Sequence, residues 1–137
     1  MAKPILLYSV IYSELAQEIT EQILSTPKNQ AIDIWLNSPG GSINAGWSIL
    51  AALQDRETVN MTVVGDASSM AFFMLLFATN VSVYDTATLL IHRASIMSDE
   101  ALTEDQIQGI LAQNKILRQK ILQPVYLGLT FAFDYEI

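Results

Sequence analysis

Short apolar runs alternate along this chain with longer stretches in which apolar residues return every third or fourth position. Ile5 to Tyr8 predicts a strand, and Leu15, Ile19 and Ile23 then recur at helical spacing behind Ser13, a candidate helix cap. Ala31 to Leu36 is rich in strand formers and runs into Asn37-Ser38-Pro39-Gly40-Gly41, a turn signal. A second helix is expected from about Asn44, with Trp47, Leu50 and Ala51 turned inward. Met61 to Val64 predicts a third strand, after which Gly65 to Ser69 reads as a turn leading into the apolar helix Met70 to Ala78. Val81 to Tyr84 and Thr88 to Ile91 predict two more strands. A long helix begins at Thr103, where Thr103 and Gln106 have the spacing of a capping box. Ile107, Ile110, Leu111, Leu117, Ile121 and Val125 mark its apolar side, and Pro124 is expected to kink or end it. Repeated strand–helix–strand units imply right-handed crossovers and a mostly parallel sheet covered by helices, an α/β fold.

Composition narrows the possible functions. The 137 residues suit one domain, 1–137, and 51% hydrophobic against 15% charged residues excludes intrinsic disorder. No cysteine is present, which removes disulfide scaffolds, thiolate metal sites and a cysteine nucleophile, and a single histidine removes a histidine-rich zinc site. The net charge of −7 with no basic run argues against nucleic acid as a partner. The apolar stretch Met70 to Ala78 is nine residues long, short of the roughly 20 needed to span a bilayer, so no membrane partner is expected. The N-terminus lacks the pattern of a signal peptide, and a soluble, cytoplasmic protein is expected. Low charge with so much apolar residue suggests that neighbouring subunits cover part of the surface.

Both glycine-containing turns fall where a strand gives way to a helix, the place where α/β sheets carry function. Ser69 at such a junction can expose its hydroxyl beside helix N-terminal amides, as an acyl-transfer nucleophile requires. The alternative is that Ser68 or Ser69 caps the helix. Gly40-Gly41 either meets a need for positive φ or lets the backbone approach a ligand closely. His92 ends an apolar strand and is either a hydrogen-bonded structural residue or the base of a Ser–His pair, for which it is the one imidazole available.

Three segments resemble one known family. Leu36-Asn37-Ser38-Pro39-Gly40-Gly41-Ser42-Ile43-Asn44-Ala45-Gly46, Gly65-Asp66-Ala67-Ser68-Ser69-Met70-Ala71-Phe72-Phe73 and Thr88-Leu89-Leu90-Ile91-His92 are similar to motifs of ClpP, the proteolytic subunit of the Clp protease, in the same order and at closely matching separations. The resemblance spans about Ile5 to Gly128. It implies a crotonase-like α/β unit assembled into stacked heptameric rings, with Ser69 as nucleophile and His92 as general base. The Gly41 and Met70 amides would form the oxyanion hole, and Gly40, Gly41, Ser42 and Ile43 would line the cleft and pair with an extended peptide. Residues 94–123 would contribute the handle, with a helix from Thr103 to about Gln123 interdigitating two rings. The substrates implied are unfolded proteins or peptides delivered by a separate ATP-dependent AAA+ unfoldase, so this chain is expected to need no cofactor and no metal.

Four departures from the family pattern stand out. Family members usually carry a segment ahead of the first strand, whereas that strand begins here at Ile5. Arg93 to Ser98 lacks the family's Pro- and Gly-rich sequence, and Ala71-Phe72 replaces a small Gly-Ala pair. In register with Leu127-Gly128 the family's catalytic Asp falls a few residues beyond Ile137. Asp134 is then the nearest candidate substitute, read otherwise as a solvated acid of the tail, and a carboxylate from a neighbouring subunit is the further alternative. Two other functions compete with an active endopeptidase. One is a weakly active or inactive subunit that forms mixed rings with a complete ClpP and modulates it. The other is an acyl-CoA enzyme of the wider crotonase-like class, in which Ser69-Met70 would have no role.

Overall fold

The computed structural model describes residues 3–91, 103–109, 111–112 and 115–116. The chain forms two compact units, Met1–His92 and Arg93–Ile137. In the first, five parallel strands form one sheet: β1 (Ile5–Tyr8), β2 (Ile32–Ser38), β3 (Val59–Ser68), β4 (Asn80–Val83) and β5 (Thr88–Leu90). The order is β1-β2-β3-β4, and β5 pairs with the far end of β3 beyond β4. Helices α1 (Ser13–Ser25) and α2 (Ile43–Leu53) connect the first three strands. Helix α3 (Met70–Met74) follows β3 and tightens into a 3-10 turn, Leu75–Phe77.

Strand alternation sets the core. Ile5 and Leu7, then Ile32, Ile34 and Leu36, then Val59, Met61 and Val63 are all buried, while the residues between them are half-buried or exposed. Ala16, Ile19 and Ile23 of α1 and Ile49, Leu50 and Leu53 of α2 form the buried stripes of the two helices, which pack on one another. Each fully buried Ile or Leu contributes about 1.5–3 kcal/mol of transfer free energy, so the two periodicities together decide which faces meet.

Several details differ from the sequence expectation. Ser13 is the first helical residue rather than a cap; extended Tyr12 holds the cap position with no side-chain bond. Trp47 is half-buried and Ala51 exposed. Trp47 instead makes edge-to-face contacts with Phe73 and Phe77, at centroid separations of 5.4 and 6.2 Å, and ties α2 to the α3 segment. The stretch Gly65 to Ser68, expected as a turn, is strand. Leu36 pairs with Val63 but Ser38 pairs with Ala67, so β3 makes a longer excursion than β2 there. Asn37 bridges the irregularity: its Oδ1 accepts the Asp66 N–H at 2.9 Å, in space that a Cβ on Gly65 would occupy.

The C-terminal end of α1 has no basic residue of its own in its last turn. Arg56 supplies the charge from a distance, donating to the carbonyls of Ile23 at 2.5 Å and of Thr26 and Pro27 at 2.9 Å. Ile23 lies in the last turn, where a helix leaves carbonyls short of donors and its dipole favours a positive charge, and Thr26 and Pro27 follow directly after the helix. Arg56→Ala is expected to cost about 1–2 kcal/mol and lower Tm by about 4–8 °C in a thermal melt followed by circular dichroism.

In the second unit, residues 104–109, 111–112 and 115–116 are helical. The capping box is present: the Gln106 N–H donates to Thr103 Oγ1 at 3.3 Å, and the Thr103 N–H donates to Gln106 Oε1 at 2.9 Å. Ile107 and Leu111 on this helix are exposed. Among the described residues no helix is long and apolar enough to cross a membrane.

Candidate active site

The turn after β2 is built to bring backbone close to backbone. Ser38 is fully buried, and its Oγ accepts the Gly40 N–H at 3.1 Å. Gly40 and Gly41 follow at φ +95° and +150°, in the region that L side chains avoid. A Cβ on Gly40 would lie 2.8 Å from both the Ser68 carbonyl oxygen and Ser69 Cβ, and 3.1 Å from the Met70 nitrogen. Gly41 pairs with Ile11 in an isolated parallel bridge. The Ile11 N–H donates to the Gly40 carbonyl and the Ser42 N–H to the Ile11 carbonyl, both at 2.8 Å. A Cβ on Gly41 would run into the Ile11 backbone. The φ values require glycine at both positions, and so does the close approach of Gly40 to the Ser69 turn and of Gly41 to Ile11.

The side chain of Ser42 is committed elsewhere. It caps α2, with its Oγ accepting the Ala45 N–H at 3.2 Å. Ile43, half-buried, opens that helix. The Ser42 backbone is committed as well, the N–H to the Ile11 carbonyl and the carbonyl to the Gly46 N–H at 3.0 Å, which leaves the hydroxyl proton as the group Ser42 can offer a peptide.

Ser69 occupies the junction of β3 and α3 at φ +57°, ψ −123°, a conformation that glycine favours and serine adopts only under constraint. Two backbone bonds hold it. Its N–H donates to the Leu90 carbonyl at 2.8 Å, and its carbonyl accepts the Phe73 N–H at 3.0 Å. The side chain forms no cap bond. Ser68 does not cap either: it is the last residue of β3, and its hydroxyl donates to Asp66 Oδ1. The alternative of a simple serine cap thus fails on geometry. The Ser69 hydroxyl, half-buried, has no hydrogen-bond partner among the described residues, and a strained turn presents it.

Met70 follows, buried at the start of α3. Its side chain fills space that a Cβ on Gly46 would take, which explains the small residue at that point of α2. In the turns, loops and caps of the described residues, neither the Gly41 nor the Met70 N–H is used in a hydrogen bond. Two amide donors and a hydroxyl around one strand end are the components an acyl-transfer site needs, since charge developing on a carbonyl oxygen is stabilised by preorganised N–H groups. β5 runs parallel to β3 with Ser68 opposite Leu90, so the chain reaches Ile91 alongside the Ser69 turn. His92 and Asp134, the other two expected site residues, lie outside the described residues. No group of His, Asp or Glu side chains among the described residues is arranged to hold a metal ion.

The sequence reading did not single out Asp66 and Ser68 as a pair. Recognising Gly65 to Ser68 as strand would have placed them on one face, two residues apart. That extension depends on pairing with β2 and β5, which the local pattern does not contain.

The crossover-connected parallel sheet, with a serine turn packed against glycines at its carboxyl end, is an α/β fold with the components of an acyl-transfer site. The family model described as Clp protease matches residues 1–123, and the chain belongs to that family. Among solved structures it is similar to a mutant of ClpP1 from Listeria monocytogenes, with a TM-score of 0.77 and 25% sequence identity, over 88% of this chain and 70% of that one.

Proposed function

We propose that this chain is a ClpP-type serine endopeptidase, one peptidase domain over 1–137 with residues 94–123 as its handle. Its substrates would be unfolded proteins or peptides, cleaved inside a ring assembly. The observation that carries this reading is the Ser69 hydroxyl, uncapped on a strained turn beside Gly40 and Gly41. The peptide lies extended along Gly40 to Ile43, pairing through the main-chain groups of that segment that the fold does not itself use. Ser69 Oγ attacks the scissile carbonyl carbon while its proton passes to a ring nitrogen of His92. The carbonyl π electrons move onto oxygen, where the Gly41 and Met70 N–H groups receive the charge. As the tetrahedral centre collapses the C–N bond breaks, and the amine leaves with the proton from His92. Water then releases the acyl group by the same steps in reverse. Asp134 is the candidate carboxylate that orients the imidazole. The same family reading proposes heptameric rings, an AAA+ unfoldase that consumes the ATP, and a cytoplasmic location.

Intact-mass measurement after incubation with a fluorophosphonate tests this. One adduct is expected on wild type and none on Ser69→Ala. His92→Ala is expected to label and to cleave peptides at least about 10³-fold more slowly. Wild-type cleavage rates in that variant would end the Ser–His assignment. A folded, assembled wild type that takes no adduct would favour the second role, a subunit acting through mixed rings with a complete ClpP.

A further inference from the structure

Ser68 presents a problem that the proposed mechanism leaves unsolved. It is only 7% exposed, and one of two buried polar side chains in the described core, yet the reaction makes no use of it. A buried hydroxyl is costly unless bonded, so an alanine or a small apolar residue would suit a purely structural position better. Its partner is Asp66, two residues back on the same face of β3. Asp66 is itself fixed from outside its own strand: its N–H donates to Asn37 Oδ1, and its Cα is in register with Thr88 of β5. Asn37 is anchored in turn, since its carbonyl accepts the Ser9 N–H at 3.0 Å.

The next residue after Ser68 is Ser69, at φ +57°, ψ −123°. A strained backbone persists only where its surroundings over-determine it. The Ser69 N–H bond to Leu90 holds one side of the turn, and the close approach of Gly40 to Ser68 and Ser69 holds another. On the strand side, the Ser68 hydroxyl is bonded to Asp66, and Asp66 is tied in turn to Asn37 Oδ1 through its N–H. We infer that Asp66 and Ser68 are positioning residues for Ser69: the hydrogen bond between them fixes the end of β3 so that the Ser69 turn keeps its strained form and its hydroxyl stays aimed at the substrate. This rests on Ser69 being the nucleophile. It assigns the carboxylate a steric role through an accepted hydrogen bond, not a role through charge.

The test has a kinetic arm and a thermal arm, both on the full chain in its assembled state. With a fluorogenic peptide, Ser68→Ala and Asp66→Ala are each expected to lower kcat by about 10–100-fold, with KM changed less than about twofold, because misaiming a nucleophile acts on the chemical step. The double variant should be no slower than the slower single one, as expected for two ends of one bond. Asp66→Asn keeps an acceptor oxygen without the charge and should return kcat to within about threefold of wild type. In the thermal arm, Ser69→Gly relieves strain that the clamp maintains. It should raise Tm by about 4 °C in the wild-type background and by less than about 1 °C when Ser68→Ala is also present. Unchanged kcat in both alanine variants, an Asp66→Asn as slow as Asp66→Ala, or an equal Tm gain in the two backgrounds would each overturn the clamp. Equal peptide hydrolysis by wild type and Ser69→Ala would remove the peptidase reading instead, and the thermal arm would still decide whether the clamp exists.

Discussion

Ser69→Gly is expected to melt about 4 °C above the wild type while losing about 10⁴–10⁶-fold in peptide hydrolysis. The two effects have one origin. At φ +57°, ψ −123° a serine carries a backbone penalty of about 1–3 kcal/mol that glycine does not. Part of that gain is lost to the extra freedom of glycine in the unfolded chain, leaving about 1 kcal/mol. Ser69→Ala keeps the Cβ and so keeps the strain. It should match the hydrolytic loss without the rise in Tm. Melting curves with a fluorogenic peptide assay on the three proteins read both quantities. A Ser69→Gly protein that melts below wild type would show that the turn is not strained, and one that still cleaves would show that Ser69 is not the nucleophile.

Gly40→Ala is expected to damage stability and activity together, even though Gly40 contributes no functional group. Its φ of +95° is unfavourable for alanine, and the added methyl would lie 2.8 Å from the Ser68 carbonyl oxygen and from Ser69 Cβ. The carbonyl oxygen and the Met70 nitrogen, 3.1 Å away, are backbone atoms fixed by β3 and α3 and cannot swing aside as the tip of a long side chain would. A loss of about 2–4 kcal/mol is expected from strain and overlap. The displaced turn should lower kcat by about 10²-fold, the usual consequence of moving a reacting group by an ångström. Urea unfolding and steady-state kinetics check both. A variant as stable and as fast as wild type would mean that the two turns can separate freely.

Much of the fold could be read in advance because it depends on local period. The pairs Ile5/Leu7 and Ile32/Ile34/Leu36 alternate at two, and Ile19/Ile23 recur at four. Each period permits one element and one buried face. The capping box at Thr103 and Gln106 was equally legible, since both partners lie within one helical turn. The order and spacing of the Pro-Gly-Gly, Ser-Met and Ile-His segments pointed to the family that the match over 1–123 shows. Gly65 misled for a physical reason. Glycine normally marks a turn, but here it makes room for the Asn37 side chain, and β3 runs on to Ser68 because β2 and β5 supply partners.

The sequence by itself determined which residues could be buried together and that two glycines and then a serine follow successive strands, β2 and β3, because period and order are properties of the chain alone. Whether the Ser69 hydroxyl caps a helix or stands free was decided only in the tertiary structure. That outcome depends on a backbone conformation which Gly40 and Leu90, both distant in sequence, hold by packing against Ser69 and hydrogen-bonding to it.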